Sequence, residues 1–70
     1  MQNIAKIFES KIIWKINNGN DERYIYWVEY NSSYIFLILN NFPEEEMYSL
    51  SDGNEIISSF TKWPDSWTKP

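Results

Sequence analysis

The sequence predicts an all-β domain, or a β-rich α+β domain if its first ten residues form a short N-terminal helix. Four or five antiparallel strands should run as a meander, curled or half-closed into a barrel. Three observations lead there. Apolar residues alternate at a period of two, Asn18-Gly19 and Asp52-Gly53 are strong hairpin dipeptides, and thirteen of the 70 residues are aromatic (four Trp, five Tyr, four Phe).

At the start of the chain, Ile4, Ile7 and Phe8 have helical spacing, but Ile4, Lys6 and Phe8 also fit an extended segment. The first clear strand has Ile12, Trp14 and Ile16 on one side and Lys11, Ile13 and Lys15 on the other. A two-residue turn at Asn18-Gly19 would set Lys15 opposite Glu22, Trp14 opposite Arg23 and Ile12 opposite Ile25. The second strand, Arg23 to Tyr30, puts Tyr24, Tyr26, Val28 and Tyr30 on one face and Ile25, Trp27 and Glu29 on the other.

Asn31-Ser32-Ser33 turns into the third strand, Tyr34 to Leu39, with a turn at Asn31-Ser32 or at Ser32-Ser33 giving registers one residue apart. This strand is apolar on both faces, the pattern of a central strand covered on both sides. Asn40-Asn41-Phe42-Pro43 breaks the alternation, because proline has no amide hydrogen for a ladder. The acidic run Glu44-Glu45-Glu46 follows. Met47 to Leu50 and Glu55 to Phe60 flank the second turn as a hairpin, although Asn54 could instead cap a short helix. Pro64 and Pro70 exclude regular structure at the C-terminus on this reading, and Trp63-Pro64-Asp65-Ser66-Trp67 reads as a turn that folds two large rings back onto the sheet.

Length and composition bound the function. Seventy residues make one domain, which buries only about 60% of its unfolded surface and rarely has room for a catalytic cleft. With no histidine or cysteine, the chain lacks imidazole bases, thiol nucleophiles, disulfides and every metal site built on those ligands. No phosphate loop or nucleophile elbow occurs, so no enzyme activity and no cofactor or metal is expected. Six basic against ten acidic side chains give a net charge of −4, which repels phosphates and speaks against nucleic acid. The longest apolar run, Tyr34 to Leu39, is far short of the roughly 20 residues that cross a bilayer. The first residues do not read as a signal peptide, and a cytoplasmic location is expected.

The remaining candidates are binding surfaces. Glu44, Glu45 and Glu46, joined by exposed tyrosines such as Tyr24 and Tyr26, would suit a basic protein partner. The plainer readings are a solvated loop and half-buried sheet surface. Trp63 and Trp67 could stack on a sugar or peptide, against the commoner use of such a pair as cover for the sheet. A third reading makes the chain a homo-oligomer, a homodimer with one apolar sheet face at a two-fold interface.

The stretch from Tyr34 through Asn40-Asn41-Phe42-Pro43-Glu44-Glu45-Glu46 to Leu50, followed by Asp52-Gly53 and Trp63-Pro64-Asp65-Ser66-Trp67, resembles small single-domain bacterial proteins of uncharacterised function. Some proteins of that type are immunity proteins encoded beside toxins. The resemblance implies a small inhibitory protein and carries over no site residues. The expected function is therefore a non-enzymatic protein-binding or inhibitory module.

Overall fold

The computed structural model describes residues 4–19 and 22–70. A 3₁₀ helix, Ile4–Glu9, precedes seven strands: β1 (Ile12–Ile13), β2 (Lys15–Ile16), β3 (Tyr24–Tyr30), β4 (Ser33–Leu39), β5 (Tyr48–Ser51), β6 (Ile56–Phe60) and β7 (Trp67–Thr68). Strands β2 to β6 form one antiparallel sheet in sequential order, and β1 pairs with β7 in parallel. The expected meander is present, open rather than closed, with β4 at its centre. The segment 56–60 is a strand, so Asn54 caps no helix.

The first hairpin departs from expectation. Lys15 pairs with Trp27 and Ile16 with Tyr26, so Lys15 lies five residues (27 − 22) further along β3 than a two-residue turn at Asn18-Gly19 would allow. The chain kinks at Trp14, between β1 and β2, and sinks that indole into the core with 1% exposure. Under the tight-turn register Trp14 would sit opposite Arg23 at the hairpin's exposed end. Burying a ring of this size outweighs the preference of Asn-Gly for a short turn. The longer loop is tied by Asn17, whose backbone N–H donates to the Ile25 carbonyl at 3.1 Å and whose side-chain amide donates to the Tyr24 carbonyl at 2.9 Å. Asn20 and Asp21 lie outside the described residues.

The β3–β4 turn takes the Asn31-Ser32 alternative, since Tyr30 pairs with Ser33. Both turn residues have positive φ, 51° and 65°, as a two-residue turn matched to the strand twist requires. At the β5–β6 turn Gly53 supplies a φ of 97°, while the Asp52 carboxylate accepts from the N–H groups of Asn54 and Glu55 at 2.8 and 2.9 Å.

Two register shifts decide which side chains share a face. Tyr24 pairs with Ile38 and Tyr26 with Leu37, leaving Ile25 as an extra residue in β3. Ile57 is similarly extra in β6. Each bulge turns its isoleucine toward the core. The first also moves Tyr24 to the opposite face from Tyr26, Val28 and Tyr30, so the expected single row of tyrosines does not exist.

The inner face carries Ile35, Leu37 and Leu50, with Tyr26, Val28, Tyr30, Tyr48 and Phe60 around them. Its cover comes from both ends of the chain: Ile7 and Phe8 of the 3₁₀ helix, Ile12, Trp14, Trp63 and Trp67. Phe8 stacks on Trp67 at 5.5 Å, and Trp67 meets Trp14, Phe60 and Trp63 edge to face at 5.1–5.4 Å. The helix end is tied down as well as packed. Trp67 Nε1 donates to the Ile7 carbonyl at 2.7 Å, and Ser66 Oγ donates to the Phe8 carbonyl at 3.2 Å. The C-terminal segment thus holds a short strand, β7, despite its prolines. Trp67 N donates to the Pro64 carbonyl at 3.2 Å, and Pro64 precedes the pairing residues, where its missing N–H costs nothing.

Candidate partner-binding surface

Among the described residues no segment comparable to the chain ends lies over the β3–β4 part of the outer face, although Ile38, Ser49 and Ser51 on that face are buried. Cross-strand pairing places Tyr24, Trp27, Glu29, Tyr34, Phe36 and Ile38 on it, with Ser49, Ser51 and Ser59 toward β5 and β6. The β3–β4 half is aromatic. Trp27 meets Tyr34 edge to face at 5.8 Å, and Tyr24 meets Phe36 at 5.7 Å. Tyr34 is 60% exposed, while Tyr24, Trp27 and Phe36 are half-buried. Lys15 holds its ammonium 5.0 Å from the Trp27 ring centroid, so this surface already engages one cation.

The β5 half is polar and internally satisfied. Ser49 is buried and lies between Asn40, whose side-chain nitrogen donates to it at 2.7 Å, and Ser59, whose hydroxyl is 2.8 Å away. Asn40 also donates to the Glu46 carbonyl at 3.0 Å, which anchors the acidic loop to the edge of the outer face.

Residues 40–47 form that loop, and many short bonds fix its shape. Glu45 N donates to the Asn41 carbonyl at 2.9 Å, Asn40 N to the Met47 carbonyl at 2.9 Å, and Thr61 Oγ1 to Glu46 Oε2 at 2.6 Å. Glu44, Glu45 and Glu46 are all exposed. Beside them Phe42 is 51% exposed, an aromatic ring on an acidic loop. Its signal in the sequence is its place between Asn41 and Pro43, outside any alternating run that would bury it. The Leu39 N–H donates to the Arg23 carbonyl at 2.9 Å, so Arg23 and Tyr24 stand at this same end of the sheet.

The sequence-derived site is therefore partly reassembled. Tyr24 and the three glutamates lie toward one end, with Tyr24 on the outer face. Tyr26 does not join them: it is on the inner face, 6.4 Å from Trp63. The two C-terminal tryptophans cannot serve together as a stacking platform, because Trp67 is 5% exposed in the core and Trp63 is packed against Tyr26, Tyr48 and Trp67, with Lys69 over its ring at 5.2 Å. They cover the sheet instead. Among the described residues no group of three acidic side chains has the arrangement of a metal site, and no helix is long and apolar enough to cross a membrane.

The N–H groups of Glu55 and Asn54 hold the Asp52 carboxyl below its ordinary value. Its role is to close a turn. No protein-family model matches this chain, and neither the curated proteins nor the solved structures contain a match.

Proposed function

We propose that the protein is a small non-enzymatic binding or inhibitory module of the immunity type, acting on a basic protein in the cytoplasm. The observation that carries this reading is the fixed acidic loop: a half-exposed Phe42 followed by three exposed glutamates, held by hydrogen bonds from Asn40, Asn41 and Thr61. An exposed apolar side chain on the same loop as three like charges suits protein recognition, with the anchor contributing residence time and the charges speeding encounter. A loop already ordered loses little entropy on binding. Inhibition would be steric and electrostatic, requiring no group on this chain to react.

The test uses the wild-type protein, Phe42→Ala, and the triple variant Glu44→Lys, Glu45→Lys, Glu46→Lys as immobilised baits in an extract of its own cells. A basic protein held by wild type should associate at least about tenfold more slowly with the triple variant at low salt, and dissociate faster from Phe42→Ala. Retention of the same proteins at the same rates by all three baits, or of nothing by wild type, would sink the reading.

A further inference from the structure

The corner of the outer face furthest from the acidic loop has a chemistry of its own. Glu29 and Tyr34 are direct cross-strand partners, which puts their Cβ atoms roughly 4.5–5.5 Å apart on one face. Both are exposed, and Trp27 stands edge to face with Tyr34 at 5.8 Å. An open aromatic face beside a carboxylate is the pair of features that a guanidinium uses together. Its plane stacks on the ring while its N–H fork reaches the carboxylate. The neighbouring ring gives an internal precedent, since the Lys15 ammonium lies over Trp27.

We infer that Glu29, Tyr34 and Trp27 form a docking point for an arginine side chain of the partner protein. The inference rests on the protein-binding function and sharpens it, committing the aromatic β3–β4 part of the outer face to a basic, arginine-bearing segment. Charge favours that occupant over a second copy of this chain. The strand pairing places Glu29 and Lys15 on this face, and the chain as a whole carries a net charge of −4, so two copies brought together repel. Ile56, 55% exposed at the β6 margin, extends the apolar ground along which such a segment could lie.

The probe is a blocked Gly-Arg-Gly peptide titrated into the full-length protein, with backbone amide and indole resonances followed by NMR. Gly-Lys-Gly serves as control, and the triple loop variant is titrated in parallel. The arginine peptide should shift the Trp27 indole and the amides of Glu29 and Tyr34, and bind about three- to tenfold more tightly than the lysine peptide. Glu29→Gln and Tyr34→Ala should each remove most of that preference, whereas the loop variant should keep it. Equal shifts with lysine, or shifts confined to residues 42–46, would overturn the arginine site; the latter would leave the acidic loop's role standing. Shifts at Trp27 and Tyr34 that grow with protein concentration in the absence of peptide would also overturn it, assigning the face to a second copy.

Discussion

Leu37 and Tyr34 lie three residues apart on β4 and meet opposite fates. Leu37 points to the inner face and is completely buried, while Tyr34 points outward and is 60% exposed. The sequence of the strand does not distinguish the two faces, since both are apolar. The difference comes from elsewhere in the chain. The 3₁₀ helix and the segment from Trp63 to Thr68 close over the inner face, and the tie between Trp67 Nε1 and the Ile7 carbonyl fastens the two parts of the lid together. No comparable segment lies over Trp27, Tyr34 and Phe36 among the described residues. An alternating pattern thus shows that a face is apolar, whereas burial depends on remote segments having the shape and the hydrogen-bonding groups to stay there.

The strongest way to break this comparison is to cut back one side chain on each face. Leu37→Ala should destabilise the fold by about 2–5 kcal/mol, because it leaves a cavity that the surrounding rings cannot fill. Tyr34→Ala should change stability by no more than about 0.5 kcal/mol. Urea unfolding of the two variants makes the comparison, and equal losses would mean that the outer face is also covered in solution.

A smaller effect separates two tryptophans within the lid. Trp67 Nε1 has its bond to Ile7, while Trp14 Nε1 is buried with no hydrogen-bond partner among the described residues. Substitution by phenylalanine removes similar volume at each site. Trp67→Phe also leaves a carbonyl without its donor, while Trp14→Phe removes an unsatisfied one, so the first should cost about 1 kcal/mol more than the second by thermal unfolding. A reversed order would show that volume alone governs the lid.

The smallest effect concerns the turn beside the outer face. The Asp52 carboxyl titrates below its ordinary 3.8 in the folded chain, chiefly through the Glu55 and then the Asn54 backbone N–H. The unfolded chain therefore takes up the proton first. The turn's contribution is complete above the ordinary value and is lost as pH falls through the lower folded one. In Asp52→Asn that acid-dependent part should be absent, which stability curves between neutral pH and pH 2 would reveal as a shallower acid limb.

Local features of the fold were legible because they depend on neighbouring residues. The β4 core strand, the Asn31-Ser32 turn as one of two choices, the Asp-Gly hairpin and the covering role of the C-terminal rings all follow from short-range patterns. The first hairpin was not legible. Asn18-Gly19 is a strong turn signal, yet the gain from burying Trp14 overrides it, and that gain exists only once the lid is assembled. The bulge at Ile25 was equally hidden, since nothing in Tyr24-Ile25-Tyr26 marks the extra residue. It moves Tyr24 across the sheet and so separates two residues that strict alternation had joined in one surface. Phe42 was visible in principle, as a large ring between Asn41 and Pro43 with no alternating partners, but only the loop's exposure gave it meaning.

The contact between Trp67 and Ile7 spans 60 residues. The β3–β4 hairpin closes through a two-residue turn and can form early from neighbouring chain. By comparison, the lid contact involves about five doublings of loop length, each adding roughly 0.6 kcal/mol of closure entropy. The sheet therefore has reason to assemble before its lid, and for that interval both of its faces are open to water. At that stage the molecule would be most prone to join a neighbour, and the small Phe8–Trp67 stack ends that exposure by closing one face.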